Sequence, residues 1–391
     1  MRDGTKLRIL QALLHQPGVS RADLSERVGL SRATVTTLLQ ELELAGIVQR
    51  QADEGLERRR TIGRPPMQVS LAPSAAYAVG VDLAGDHVRA AVCDLGGTIV
   101  AAAQTTVDAE DEVEVMLDCA TEVTRIALAE AGVDPAKLLG AGVGVAAPVD
   151  ADRGTIHAAG LLPRWRGIAL REALEERLGM PVKIDNDANA CALGEALFGA
   201  GRGCRQLAVV RLSGCVGLGL ILDGRPFRGA CGVAGELGHV RVARDGLICR
   251  CGGRGCLETV ASSRAIRGQL ERSVGAPVTL EQLFELLESG QRAACRAVAD
   301  AGEAVGDAIA TTVNLLNPER VVVGGQLAAA GELLLEPIRK AIARQTIAPA
   351  AAAVQVAAGE LGDRATVLGA AAIQLAQAPY ALAEVEPLAT A

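Results

Sequence analysis

The chain has 391 residues, of which 50% are hydrophobic and 22% charged, so its composition is globular and its length favours two or three domains. Aromatic residues make up only 2%, which argues against stacking platforms for single-stranded nucleic acid, and the net charge of −7 argues against a surface covered by nucleic acid. The charge is uneven, since residues 1–72 carry 11 Lys and Arg against 8 Asp and Glu, whereas the remainder carries 28 against 38. A basic head on an acidic body predicts that only the head contacts a polyanion.

The amino terminus predicts a cytoplasmic protein. The first residues, MRDGTKLRIL, lack the long apolar core and the small-residue cleavage site of a secretory signal. No uninterrupted apolar run reaches membrane-spanning length, so we expect no membrane partner. In a reducing compartment the ten cysteines do not predict disulfides, and a tight cluster of them indicates a metal.

Residues 1–72 have the pattern of a winged helix-turn-helix. Apolar residues at helical spacing predict a first helix that stops before Gly18. Ser20 caps a second helix, where Asp23 reaches back as the acid of a variant capping box, and Ser31 caps a third. Alternating apolar residues on both sides of an Arg-rich tip then predict a two-stranded wing.

The third helix and the wing are the parts predicted to contact DNA. Small polar and basic groups at the start of a helix suit the major groove, because Thr methyls contact thymine and Arg forks onto guanine. Arginines of the wing pair with phosphates, and Arg64 reaches a minor groove. The alternative is a helical interaction module whose charges are merely solvated. The predicted DNA-binding residues are Arg21, Ser31, Arg32, Thr34, Thr36, Thr37, Arg58, Arg59, Arg60 and Arg64.

The remainder, residues 73–391, has the pattern of two similar α/β lobes. Apolar runs separated by turns predict three antiparallel strands and then a helix near residues 113–131, and the same order starts again at Gln206. We expect lobes at about 77–195 and 196–375, with a C-terminal helix that returns to the first lobe. Two such lobes hold a ligand in the cleft between them.

A histidine and three cysteines are the most specific local signal. His239 is followed by Cys249-Arg-Cys251-Gly-Gly-Arg-Gly-Cys256. Three thiolates and one imidazole complete a tetrahedral structural zinc site, and the glycines let the short loop wrap around the ion. The alternative is three free thiols beside an unrelated histidine, although the chain has only four histidines. We predict that His239, Cys249, Cys251 and Cys256 bind structural Zn²⁺.

These residues carry a resemblance to a known family. Gly235-Glu-Leu-Gly-His239, followed by the cysteine loop and Glu258, resembles the signature of the ROK family (repressor, open reading frame, kinase). Asn186-Asp-Ala-Asn189, Trp165 and Val323-Gly-Gly325 extend it, and Gly63-Arg-Pro65 after a winged helix resembles the regulator branch. The resemblance implies an α/β protein with a winged helix-turn-helix and a two-lobed actin/hexokinase-like (ribonuclease H-like) sensor with a zinc loop. It also implies a sugar ligand and a homodimer or homotetramer.

The same resemblance implies a set of sugar contacts, and carboxylates and amides suit a ring of hydroxyls. His239 would be shared, with one ring nitrogen on zinc and the other donating to a sugar hydroxyl. The alternative is that the acids cap helices, Asp187 among them. No Asn stands at the family's position near Trp165, so a modified or phosphorylated sugar, or no ligand, stays open. The predicted sugar-binding residues are Asn186, Asp187, Glu236, His239 and Glu258.

Asp187 matches the family's catalytic Asp, so it is the predicted catalytic residue if the chain is a kinase. Family kinases carry Asp-x-Gly-Gly-Thr, whereas this chain has Asp82-Leu-Ala-Gly-Asp86, which puts negative charge where phosphates bind. A second Thr is missing from the Leu212–Gly217 loop, where Ser213 substitutes only in part. We therefore expect neither ATP nor Mg²⁺ as a cofactor.

The sequence thus predicts a sugar-responsive regulator, by the commoner family behaviour a repressor, that binds a double-stranded operator in front of carbohydrate genes. One alternative is an ATP-dependent, glucokinase-like sugar kinase with an accessory DNA-binding head. The other is an architectural DNA binder without a ligand, whose DNA affinity no sugar would alter. The phosphate-binding loops distinguish the first two functions.

Overall fold

The protein consists of a small amino-terminal head and a body built on two five-stranded sheets. This architecture is seen in a computed structural model. The model describes residues 2–15, 18–51, 68–108, 112–157, 165 and 167–385.

The head contains three helices, and serine caps set the starts of the second and the third. Oγ of Ser20 accepts the N–H of Asp23 at 3.2 Å, and Oγ of Ser31 accepts the N–H of Thr34 at 3.1 Å. The Asp23 carboxylate reaches back to Ser20, but to its hydroxyl, at 2.7 Å. The elements of the head are α1 Arg2–His15, β1 Val19–Ser20, α2 Arg21–Val28, α3 Arg32–Leu44, β2 Val48–Gln51 and β3 Gln68–Leu71.

The sheet of the head is larger than predicted. It has three strands in the order β1-β3-β2, because the two residues of β1 pair with β3 just before α2 begins. A two-residue strand has no periodicity, so the sequence indicated only two strands. The arginines predicted at the tip of the wing, Arg58, Arg59, Arg60 and Arg64, lie outside the described residues.

The first sheet of the body has β4 at its centre. On one side of it lies antiparallel β5, which pairs in turn antiparallel with β6; on the other side β7 and β10 lie parallel. Helices α4 and α5 cover one face of this sheet with aliphatic side chains. The elements are β4 Tyr77–Leu83, β5 His87–Asp94, β6 Ile99–Thr106, α4 Val113–Ala131, β7 Leu138–Val145, β8 Val149–Asp150, β9 Thr155–Ile156, α5 Leu170–Leu178, β10 Val182–Asn186 and α6 Asp187–Phe198.

The second sheet repeats this arrangement. β11 is central. On one side of it lies antiparallel β12, which pairs in turn antiparallel with β13; on the other side β14 and β15 lie parallel. Residues from both sheets line the cleft between them, as the repeated order of elements predicted. The elements are β11 Leu207–Leu212, β12 Val216–Leu222, β13 Arg225–Pro226, α7 Glu258–Ala261, α8 Ser263–Val274, α9 Leu280–Glu288, α10 Arg292–Leu316, β14 Arg320–Gly324, α11 Glu332–Gln345, α12 Ala348–Ala353, β15 Gln355–Ala358, α13 Ala365–Leu375 and α14 Ala378–Ala383.

Helix α13 returns to the first sheet, where it crosses β4 and β7 and packs along α6. The approach is close because small residues face it. A Cβ on Gly80 would collide with the carbonyl oxygen of Val367, and one on Gly369 would collide with that of Ala190. Helix α13 is therefore held tightly to both β4 and α6.

Helix α14 connects the body to the head by packing on α1. Ala378 and Leu382 are buried in the core of the head. Nζ of Lys6 donates a hydrogen bond to the carbonyl oxygen of Val385 at 2.6 Å. The carboxyl-terminal segment is thus a physical link from the first sheet to the head.

The segment Gly362–Ala383 is long and apolar enough, by length and composition, to cross a membrane, and it is the only such helix among the described residues. Most of this segment is buried within the fold, because α13 and α14 pack against the first sheet and the head. A core helix of a globular protein passes the same test.

Candidate sugar and metal sites and DNA-binding surface

The predicted metal ligands lie together. Ligand atoms of His239, Cys249, Cys251 and Cys256 are all within 4.8 Å of one another. Nδ1 of His239 is 3.6 Å from Sγ of Cys249, and the sulfurs of Cys251 and Cys256 are 3.7 Å apart. A tetrahedral ion with Zn–S bonds of about 2.3 Å and Zn–N bonds of about 2.0 Å separates sulfur from nitrogen by about 3.5 Å and two sulfurs by about 3.8 Å. The four side chains therefore fit a zinc ion.

The five predicted sugar-binding residues line one cleft between the lobes. Asn186 and Asp187 stand at the amino end of α6, Glu236 and His239 flank the turn before the cysteine loop, and Glu258 opens α7. Nε2 of His239 lies 3.8 Å from a carboxylate oxygen of Glu236. The ring thus turns Nδ1 to the thiolates and Nε2 to the cleft, which is the orientation that a shared histidine requires.

Helix capping, the alternative role for the acids, is carried mainly by Asn186. Its Oδ1 accepts the N–H groups of Ala188 and Asn189 at 2.9 and 3.2 Å, and its Nδ2 donates to the carbonyl oxygen of Ala147 at 3.0 Å. Of the backbone N–H groups at this helix end, Asp187 accepts that of Ala188, at 2.8 Å, with its Oδ1. Both side chains also face the cleft, so capping holds them in place there.

Two arginines that the sequence analysis did not single out line the same cleft. Nη1 of Arg211 lies 2.7 Å from Oδ2 of Asp187, and Nε of Arg250 lies 3.1 Å from Oε1 of Glu258. A signal existed for Arg211, because one arginine within the apolar run of β11 requires a buried partner. Arg250 carried no such signal, since the spacing of a metal motif does not show where its intervening side chains point.

The carboxylates of the cleft share a poorly hydrated space. Burial, and then the charges of Asp187 and Glu258, raises the pKa of Glu236 to about 7. Burial also raises the pKa of Asp187, against the opposing charge of Arg211. A compact group of strong acceptors flanked by two guanidinium groups suits a small polyhydroxylated ligand.

The segment that matches the kinase phosphate cradle lies on the other side of Arg211. Oδ1 of Asp86 is 2.7 Å from Nδ1 of His87, and this hydrogen bond lowers the pKa of Asp86 to about 2. Asp86 therefore remains anionic, although it is partnered rather than free. Oγ of Ser213 accepts the N–H of Gln326 at 3.2 Å, so the hydroxyl expected to replace a kinase Thr in part is used within the fold.

The amino end of α3 presents the predicted DNA-reading side chains. Arg32, Thr34 and Thr37 are exposed and Thr36 is half-buried, whereas the apolar face of the helix lies in the core. Ser31 is the exposed cap. Arg21, half-buried, is the first residue of α2. The head therefore exposes the polar and basic groups of α3 on one accessible surface, as a major-groove helix requires.

Comparison with known sequences gives the family. The sequence model of the ROK family matches residues 78–377, and a model described as winged helix-turn-helix DNA-binding matches residues 2–49. The xylose repressor of Caldicellulosiruptor bescii is 30% identical to this chain over 381 residues, which is 94% of each protein.

Two crystal structures resemble the protein. A ROK family transcriptional regulator, a homologue of the Escherichia coli MLC protein, is 26% identical with a TM-score of 0.74, and the match covers 97% of each chain. A ROK family glucokinase from Streptomyces griseus, in complex with glucose and AMPPNP, is 32% identical with a TM-score of 0.70, covering 76% of this chain and 99% of the glucokinase. The chain therefore belongs to the ROK family and carries a winged helix-turn-helix at its amino terminus.

Proposed function

We propose that the protein is a sugar-responsive DNA-binding transcription regulator, a repressor of carbohydrate genes. One observation carries this proposal: the xylose repressor and the transcriptional regulator match the chain almost from end to end, whereas the glucokinase leaves about a quarter of it unmatched. We assign residues 1–72 to the DNA-binding head and 73–391 to the sensor, with lobes at about 77–195 and 196–375. Because the proposed partner is chromosomal DNA, we propose that the protein is cytoplasmic.

In this proposal α3 enters the major groove of a double-stranded operator. Arg32 forks onto guanine and the methyl groups of Thr34 and Thr37 contact thymine, while the wing arginines 58–60 and 64 bind phosphates and a minor groove. The phosphate contacts set the affinity and its salt dependence, and the contacts of α3 set the sequence preference.

The effector is a sugar held in the cleft lined by Asn186, Asp187, Glu236, His239 and Glu258. The carboxylates accept hydrogen bonds from hydroxyl groups, and Nε2 of His239 donates one. The likeness to a glucokinase crystallised with glucose and to a xylose repressor makes glucose and xylose the first probes to use.

Structural zinc would be held by His239, Cys249, Cys251 and Cys256. When bound, the ion cross-links the loop and neutralises its thiolates. Because His239 belongs both to this cluster and to the cleft, the ligand set fixes the ring orientation in which Nε2 faces a sugar.

The second candidate function is an ATP-dependent sugar kinase with Asp187 as the general base, which the likeness to the glucokinase favours. The geometry favours a sensor instead. Asp187 is paired with Arg211, and a paired carboxylate is a poorer base. Anionic Asp86 lies where phosphates would bind, and like charge there disfavours a triphosphate by roughly a few kcal/mol. We propose that ATP and Mg²⁺ are not cofactors.

We propose that helices α6, α13 and α14 transmit the effect of sugar binding to the head. A sugar contacts the amino end of α6, which packs along α13, and α14 continues the chain into the core of the head. In a homodimer or homotetramer, a small rotation along this route changes the separation of two heads, whose half-sites lie about one helical turn apart. Coupling of this kind is typically about 1–3 kcal/mol.

Two measurements on the full-length protein test the proposal. Fluorescence anisotropy with the fragment upstream of the protein's own gene should show an affinity that falls steeply with salt. A coupled assay with ATP, Mg²⁺ and either glucose or xylose should show no sustained ADP production. Brisk turnover together with an absence of salt-sensitive DNA binding would establish the kinase and reject the regulator.

A further inference from the structure

Arg211 stands where the sugar cleft meets the nucleotide cleft, and it lines both. Its side chain is buried. The guanidinium lies 2.7 Å from Oδ2 of Asp187 and 3.7 Å from Oδ2 of Asp82. Asp82 is buried on β4 of the first sheet, whereas Arg211 is on β11 of the second. The buried guanidinium of Arg211, from the second lobe, thus contacts two carboxylates of the first lobe, and one of them, Asp187, faces the sugar cleft.

A second contact crosses the cleft beyond Asp82. Oδ2 of Asp82 is 3.4 Å from Nε2 of His87, whose Nδ1 is 2.7 Å from Oδ1 of Asp86. Nε2 of Gln326 donates to Oδ2 of Asp86 at 3.3 Å, and Gln326 follows β14 of the second sheet. Acidic and basic groups alternate along this series of contacts from Arg211 to Asp86. The contact at each end of the series, with Arg211 or with Gln326, bridges the two lobes.

We propose that Asp82, Asp86, His87, Arg211 and Gln326 form a latch that holds the two lobes together across the cleft in place of a nucleotide. We further propose that Arg211 is a positioning residue, which holds Asp187 as a carboxylate ready to accept a sugar hydroxyl. The positioning role rests on the proposed sugar function, whereas the latch does not.

The chemistry of the groups supports this assignment. A nucleotide-dependent kinase closes on phosphates and Mg²⁺ held between its lobes. Here the protein supplies the charges itself, because a planar guanidinium can donate to two acids on different elements. The guanidinium also stands beside the carboxylate that a kinase would use as its base, where a transferred phosphoryl group would have to pass. Removing it leaves buried Asp187 without its paired cation and Asp82 paired only with His87 of its own lobe, which favours opening of the cleft.

Hydrogen exchange on the full-length protein, loaded with zinc, tests the latch. In the wild type, peptides over residues 82–89 and 324–328 should exchange equally slowly with and without millimolar ATP and Mg²⁺. Arg211→Met should speed exchange in both segments roughly tenfold or more, and Arg211→Lys should restore part of the protection. The matched control is Arg205→Met, just before β11, whose exposed pair with Asp223 at 3.2 Å lies outside the cleft.

Calorimetric titration with D-xylose and D-glucose, in buffer without nucleotide, tests the positioning role. Arg211→Met should weaken binding of the sugar that the wild type binds by roughly tenfold or more, because Asp187 loses the group that orients it. Arg205→Met should bind like the wild type. If Arg211→Met does not fold, the double variant Asp82→Asn/Arg211→Met, which removes one acid with the cation, supports both measurements.

Each contrary result has a distinct meaning. Unchanged exchange after loss of Arg211, or protection of the two segments by ATP in the wild type, would overturn the latch. A folded Arg211→Met protein with wild-type sugar affinity would overturn the positioning role. The expected exchange pattern in a wild type that binds neither sugar would support the latch and count against the proposed function alone.

Discussion

The two halves of the cleft between the lobes differ in how their polar side chains are arranged. On one side of Arg211, carboxylates, an amide and a histidine line a small cavity beside the loop that carries Cys249, Cys251 and Cys256. On the other side, the corresponding polar groups are joined to each other across the lobes. The sugar half is arranged for a ligand from outside, whereas the nucleotide half keeps an open cavity of about 780 Å³ that is spanned by contacts between the protein's own side chains.

The difference shows how a kinase-like fold can serve as a sensor. Lobe closure needs charge compensation in the cleft, and that compensation need not come from a nucleotide. A cleft that closes on internal ion pairs can respond to a sugar alone, and the helices α6, α13 and α14 connect that cleft to the head. A substitution in one half of the cleft should therefore leave the other half unchanged.

Loss of the metal should have the largest effect. Cys251→Ser, or a strong chelator, should unfold the loop and abolish sugar binding, because His239 loses its fixed orientation. We expect the melting temperature to fall by roughly 5 °C or more, since 1 kcal/mol corresponds to about 2–4 °C in domains of comparable size. Cys204→Ser, outside the cluster, should behave like the wild type. Chelation that leaves both melting and sugar affinity unaltered would disprove a structural metal.

Asp187→Asn should weaken sugar binding by about 2 kcal/mol, or roughly 30-fold, because a charged hydrogen-bond acceptor is lost. DNA affinity in the absence of sugar should not change. Glu285→Gln, an exposed change on α9, is the control for altered net charge. Calorimetry and anisotropy on the same samples separate the two effects, and an equal loss of DNA affinity would show that Asp187 acts on folding.

The nucleotide half should show its own pH dependence. Burial lowers the pKa of His87, but hydrogen bonds and charges from Asp82 and Asp86 outweigh burial and raise it to about 9. Since this folded-state pKa exceeds the ordinary value of 6.5, the stabilisation is complete below about pH 6.5 and is lost as the pH rises through about 9. We expect a loss on the order of 2 kcal/mol in the free energy of unfolding.

Denaturant unfolding between pH 6 and pH 10 measures this loss. His87→Gln should reduce the fall of the unfolding free energy with pH. His157→Gln, away from the nucleotide half, should show the same fall as the wild type. A wild-type curve that rises over this interval, or the same slope in His87→Gln, would contradict the paired state of His87.

The smallest effect should come from the head. Ser31→Ala removes the cap of α3, which is typically worth about 1 kcal/mol, and should weaken operator binding without changing sugar affinity. Gln40→Ala, exposed on the same helix, should alter neither. Differential scanning calorimetry and anisotropy give the two quantities, and a parallel loss of sugar affinity would mean that the head and the cleft do not separate.

Local signals were enough to predict much of this molecule. The serine caps of α2 and α3 and the short spacing of Cys249, Cys251 and Cys256 act over a few residues, so the sequence displays them directly. The repeated strand order of the two sheets was also visible, because each unit repeats the same succession of apolar runs and turns.

The latch was not predictable from the sequence in the same way. Asp86 was expected only as a negative charge where phosphates bind, and its partner Gln326 is distant in the chain and carries no periodic signal. Arg211 was visible as a charge inside an apolar strand, but pairing with Asp82 and Asp187 depends on the packing of two lobes. The third strand of the head was missed for a related reason, since β1 exists only through its pairing with β3.

The most direct test measures operator affinity of the full-length, zinc-loaded protein in buffer free of nucleotide, with xylose and with glucose. We predict that one of these sugars shifts the affinity by roughly 5- to 150-fold and that added ATP and Mg²⁺ change nothing. Operator affinity that neither sugar alters, or that shifts only when ATP is present, would contradict a sensor that works on sugar alone.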